Sequence, residues 1–189
     1  MAIDACIWFQ NYDGSYLESE SQVDFSKDPQ RTALHYPPNN NIFEIEDYSF
    51  DIEQTLNIGS QSSGAGAGKI TFNPFSITRK IDKASPTLFQ MSCSGTPFQN
   101  VVLLLRKSAG GGTAAGVGFL TFTFKLVAIK TISWAYDPNE PREKVSFEYG
   151  GLVIEYFQQK PDGTVGSAIL GGWNRIKNVA DVNPVVILR

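Results

Sequence analysis

Four places in this 189-residue chain carry residue types that could do chemistry. The stretch SSGAGAGKI, residues 62–70, has the glycine content and the Gly68-Lys69 pair of a loop that wraps phosphates. A loop of the GxxxxGK[ST] form needs glycine at its first position and a hydroxyl after the lysine to hold magnesium. Here Ser63 stands first and Ile70 last. The lysine also opens a strand-like run, KITF, where a phosphate loop would lead into a helix. His35, the single histidine, lies in a polar stretch with no nucleophile near it in sequence. Two separated cysteines, Cys6 and Cys93, and one histidine do not make a zinc site. Glu44 and Glu46 would share one strand face and could suggest the carboxylate pair of a glycosidase, but a solvated strand face is the commoner reading. No catalytic residue, cofactor or metal ligand is expected, and the chain does not read as an enzyme.

Composition narrows the class further. The length suits one domain with a full core. Net charge is −3, with acids and bases interspersed, and no basic stripe points to nucleic acid. Aromatics are plentiful, with 13 Phe, 7 Tyr and 3 Trp, enough to supply anchors for a protein interface or a ligand pocket. The start, MAIDACIWFQNYDG, lacks a basic n-region, so no signal peptide is expected. No apolar run approaches the roughly 20 residues of a transmembrane helix, so no membrane insertion is expected. Cys6 and Cys93 read as free, buried thiols, with a disulfide left open on sequence alone.

The elements that would position any site have a period of two. In YSFDIEQTLNI, residues 48–58, the even positions are apolar except Gln54, which predicts one half-buried strand. In KITFNPFSITRKI the apolar phase changes at Asn73-Pro74, and in KVSFEYGGLVIEYF at Gly150-Gly151. A change of phase by one residue predicts a β-bulge at each. FLTFTFKLVAIKTI reads as a long strand with Leu120, Phe122, Phe124 and Leu126 on one face. VVLLLRK is apolar throughout, as suits a central strand covered on both sides. One helix is predicted at about 85–94, with Ser85 as N-cap, Pro86 at the first helical position and Gly95 at the left-handed end. Leu88, Phe89 and Met91 would form its apolar side. Residues 11–41 read as a polar surface excursion, and 108–118, 136–143 and 160–167 as connections or turns. The tail after Asn178 is left open between a loose end and a short extra strand at VVILR.

Taken in order, four stretches resemble the Hcp family, the haemolysin-coregulated proteins of bacterial type VI secretion. They are MAIDACIWF, GAGAGKITFNPFSITRKIDKASPTLFQMSCSG, VVLLLRKSAG and VIEYFQQKPDGTVGSAILGGWNRIKNVA. The second holds the family block Lys80, Ile81, Asp82, Lys83, Ser85, Pro86 and Leu88, and the last ends in Gly172, Trp173, Asn174, Arg175 and Lys177.

The resemblance implies a mainly β domain over residues 1–189, a small β-barrel of two packed, mostly antiparallel sheets with one short helix and long inter-strand loops. It implies a structural subunit whose hexameric rings stack into a tube. That tube is propelled by a contractile sheath, carries effector proteins in its lumen and meets a spike and baseplate. It would be cytoplasmic when assembled and then exported. A phage-like tail tube is the neighbouring reading, and a monomeric ligand-binding barrel the alternative. Gly64, Gly66, Gly68, Lys69, Trp173 and Asn174 are the candidate subunit or ring contacts. The sequence departs from the family at about 21–41, which reads as an insertion, and at about 179–189, which reads as a C-terminal extension.

Overall fold

The computed structural model describes residues 3–26, 28, 30, 34–55, 70–107, 116–160 and 165–183. The chain runs β1 (Ile3–Gln10), a single 3₁₀ turn (Asn39–Asn41), β2 (Phe43–Glu44), β3 (Asp47–Ser49), β4 (Ile52–Gln54), β5 (Ile70–Phe72) and β6 (Phe75–Lys80). Then come α1 (Ser85–Ser94), β7 (Phe98–Lys107), β8 (Val117–Ala135), β9 (Arg142–Gln159), β10 (Val165–Asn174) and β11 (Val179–Ala180). The protein is mainly β, with two antiparallel sheets and one helix among the described residues.

The main sheet has the order β11-β10-β9-β8-β7-β1-β2, with β6 and β3 branching from β9. β8 pairs with β9 along almost its whole length. On its other flank β9 pairs with β6 over 142–147 and with β10 over 151–159. The handover falls at Gly150-Gly151. Residues 43–49 bring the far ends of the sheet together. Ile45 N–H donates to Ala5 of β1 at 3.1 Å, and the next residue, Glu46, donates to Thr78 of β6 at 2.9 Å. The sheet is not closed strand on strand, but these two bonds draw its ends around one core.

That core is aromatic. Phe75 stacks on Phe124 at 4.2 Å and on Phe147 at 5.8 Å, and Phe9 touches Phe43, Phe98 and Phe147. All but Phe43 are completely buried. Each buried ring contributes about 1.5–3 kcal/mol over an exposed one. β7 is covered on both sides, as its sequence predicts. Val101, Leu103 and Leu105 face the main core, while Leu104 faces a second one.

The second core overturns the reading of residues 11–41 as a polar surface excursion. Phe25, Leu34, Tyr36 and Ile42 are buried there against Cys6, Trp8, Leu104 and Phe157. The apolar residues are too sparse and irregular to show a period, yet they cap the outer face of β1 and β7. Asp28 is buried with them, accepting from the Tyr36 hydroxyl at 2.9 Å and facing Arg106 at 3.3 Å.

Three strand expectations are corrected. Residues 48–58 do not form one strand. β3 pairs with β6 in the main sheet and β4 with β5 in the small sheet, and 56–58 lie outside the described residues. At Asn73-Pro74 there is no bulge but a change of sheet, from β5 to β6. Both arms of this hairpin turn at one level, where Asn73 N–H meets Asp51 O at 3.1 Å and its side chain meets the Asp51 carboxylate at 2.6 Å.

At Gly150-Gly151 the register with β8 continues unbroken, because β8 changes phase opposite it. The turning residue there is Leu126 at φ 48°, so the core face passes from Phe124 to Val127 and not to Leu126. The β8–β9 bulge sits instead at Lys130, between Ile129 and Thr131.

Helix α1 ends at Gly95 in the left-handed conformation, φ 69°, as predicted. Its start is different. Ala84 precedes the helix, and Ser85 is its first residue, not a cap. The Asp82 carboxylate accepts from the Ala84 N–H at 2.8 Å. Leu88 is fully buried, but Phe89 faces outward against Trp134, with ring centroids 6.2 Å apart. Cys6 is buried and free, while Cys93 is free and exposed, contrary to the expectation for it.

Candidate functional site

Alternation along β6 puts Phe75, Ile77 and Arg79 in one phase, and alternation along β9 does the same for Glu143, Val145 and Phe147. Arg79 and Glu143 are direct cross-strand partners, both inside the protein. Arg79 Nε donates to Glu143 Oε1 at 2.7 Å, and Arg79 Nη2 to Asp82 Oδ1 at 2.8 Å and Ser85 Oγ at 3.0 Å. Ser85 Oγ and Trp134 Nε1 then donate to the two Glu143 oxygens, each at 3.0 Å. The guanidinium lies over the Phe43 ring at 5.0 Å. A buried ion pair needs further hydrogen bonds to its remaining donors and acceptors, and Asp82, Ser85 and Trp134 supply them. The arrangement holds α1 to the sheet and exposes no reactive group.

A second fastening closes the C-terminal end of β10. Asn174 is buried, and its Oδ1 accepts from Ile176 N–H at 3.1 Å and Lys177 N–H at 3.0 Å, folding the turn after the strand. Arg175 stacks over Tyr149 at 4.7 Å and Phe72 at 5.1 Å and bonds the carbonyls of both residues. It thereby ties the β10 end to β9 and to the bent hairpin. Burial pushes the Tyr149 phenol up to about 12, and Arg175 offsets part of that rise. Trp173 packs half-buried on the main core, and its indole N–H has no partner among the described residues.

The family model described as "Type VI secretion system effector, Hcp" matches residues 37–156. The chain belongs to the Hcp family. Protein hcp1 of Pseudomonas aeruginosa is 33% identical over 114 residues, covering 59% of this chain and 68% of that protein. A structure described as a type six secretion system protein superposes with a TM-score of 0.75 at 22% identity, covering 95% of this chain and all of the other. Hcp1 from Salmonella typhimurium gives 0.67 at 23% identity, covering 96% and 100%. At these identities the two structures establish the fold.

Within this Hcp fold, the block that carries the resemblance has a physical role. Asp82 and Ser85 are two of the partners that satisfy the buried Arg79–Glu143 pair. Arg79 and Glu143 themselves were absent from the sequence-based candidates. Their signal was present, since each is a charge in the core phase of an alternating strand. Of the residues expected at subunit contacts, Gly64, Gly66, Gly68 and Lys69 lie outside the described residues. Trp173 and Asn174 sit side by side at the end of β10, where both hold the local fold.

Glu44 and Glu46 are both exposed. Glu46 is paired with Arg142, and Glu44 accepts from Ser21 Oγ. His35 is exposed as well, with a left-handed backbone at φ 50°. Among the described residues no three His, Cys, Asp or Glu side chains gather as a metal site would require.

Proposed function

We propose that this Hcp-family protein is an inner-tube subunit of type VI secretion. It forms hexameric rings that stack inside a contractile sheath, meet a spike and baseplate, and carry effector proteins in the lumen. Assembly takes place in the cytoplasm and export follows. The protein acts as a scaffold and not as an enzyme. The observation that carries this reading is the family match across residues 37–156.

The surface supports it. β10 and its neighbourhood carry apolar side chains in the open. Ile169, Leu170, Tyr156 and, just past β10, Ile176 are all exposed. Such a surface is stabilised by contact with another chain. The interior, filled by stacked phenylalanines, offers a carried ligand little room. One pocket of about 560 Å³ is an open groove beside Glu44, Glu46 and Lys80.

Light scattering with negative-stain microscopy tests the proposal. The expected result is a six-fold ring with a central hole. A strict monomer at high concentration would overturn it.

A further inference from the structure

Among the described residues, most of β10 is paired along one flank only. Residues 165–172 meet β9, and among the described residues nothing pairs their opposite edge until Trp173 and Asn174 meet Ala180 and Val179. The side chains beside this edge are apolar and open to solvent. Ile169 is 65% exposed and Leu170 48%, on opposite faces of the strand. Tyr156, the cross-strand partner of Ile169, is 44% exposed. An unpaired edge of this kind is a template for an added strand.

β11 begins to occupy this edge, and the described ladder ends at Asp181. β11 lies on β10, and Asp181 N–H donates to the Gly172 carbonyl at 3.0 Å. Glycine is required at 172, because a Cβ there would collide with the Asp181 carbonyl oxygen and stand 2.8 Å from Val182 Cα. The next bond of an antiparallel ladder would run from Asn183 N–H to the Leu170 carbonyl. Asn183 N–H instead donates to the Asp181 carboxylate at 2.9 Å. This is a local turn that competes with the ladder, and it takes the Asn183 N–H out of pairing with β10. Pro184 follows, and then Val185, Val186, Ile187 and Leu188, four consecutive apolar residues, three of them β-branched.

We propose that residues 185–189 of one subunit add as a strand to the free β10 edge of a neighbouring subunit. The C-terminal segment then ties copies together and covers Ile169 and Leu170. This rests on the ring-forming reading above, with a second copy of the chain as the partner.

Cysteine crosslinking tests it. In a Cys93→Ser background, Ser167→Cys is combined in turn with Val185→Cys, Val186→Cys and Ile187→Cys. Assembled protein is mildly oxidised and run on a denaturing, non-reducing gel. The expected result is a ladder of covalent multimers for at least one pair. A product confined to internally crosslinked single chains would place the segment on its own β10 and overturn the proposal. Assembled protein that gives no crosslink with any pair would also overturn it, leaving the ring reading intact. A strict monomer would overturn both.

Removing residues 184–189 provides a second measure. It is expected to raise the protein concentration needed for half-assembly at least tenfold, and no change would count against the tie.

Discussion

At the scale of single residues, the best-determined feature is the Arg79–Glu143 pair, because both side chains are closed off from water and held by several hydrogen bonds. Glu143→Gln would leave the buried Arg79 charge with the Asp82 carboxylate as its remaining counter-ion. It is expected to cost about 3 kcal/mol of stability, the low end for breaking a buried pair. Ser85→Ala removes one bond to each member of the pair and is expected to cost about 1–3 kcal/mol. Denaturant midpoints of both variants check the order. If Ser85→Ala were neutral, its hydroxyl would be idle in the network. The sequence identified Ser85 as important but for the wrong reason, as a cap, since nothing local reveals a partner 58 residues away.

Cys6 supplies a pH-dependent counterpart. Burial pushes its thiol up to about 12, with Arg106 pulling partly the other way. A group whose folded value is raised stabilises the fold below its unfolded value, and that stability is lost as pH climbs through the folded value. Stability is therefore expected to fall between about pH 9 and 12, and Cys6→Ala to reduce the slope of that fall. Chemical denaturation across this range measures it. At pH 8 a thiol reagent is expected to modify Cys93 in the native protein and to reach Cys6 only after unfolding.

At the scale of elements, strand identity was legible where a two-residue period faced one core, as in the run from Leu120 to Phe124 in β8 and in both halves of β9, and where an unbroken apolar run lies between two cores, as in β7. What the period does not carry is the partner. A change of phase at Asn73-Pro74 and one at Gly150-Gly151 look alike in sequence. The first is a transfer between sheets, and the second is shared by two paired strands with no loss of register. The difference lies in the strand opposite.

The β10–β11 pairing gives an element-scale prediction. Gly172→Ala would put a methyl group against the Asp181 carbonyl, which is backbone and cannot rotate away. β11 is expected to detach while the core stays folded. Hydrogen exchange at the Asp181 amide should quicken strongly with little change in thermal midpoint. An unchanged exchange rate would mean that β10 tolerates a side chain there.

At the scale of the whole molecule, the sheet surrounds an aromatic core, carries a second core on its outer face and exposes apolar side chains along β10. The second core takes in part of residues 21–41, the stretch that the sequence reads as an insertion, since Phe25 and Tyr36 are buried in it. Deleting residues 62–67, in the glycine-rich run, is expected to leave this architecture folded but to weaken ring closure or stacking. Thermal melting and light scattering on the same variant separate the two effects. Loss of the folded state would assign the run to the core.

The sequence by itself determined the class of the protein. Alternating strands, one short helix stopped by Gly95 and ordered family blocks are local or linear properties, readable without coordinates. It also removed the nucleotide reading, because Ser63 and Ile70 stand where the phosphate loop needs glycine and a hydroxyl. Only the tertiary structure decided which inward-facing charges meet, that residues 11–41 help close a second core, and that among the described residues the β10 edge is unpaired over most of its length. These depend on which distant strands become neighbours. Arg79 and Glu143 are 64 residues apart, and their attraction exists only once β6 and β9 are in register.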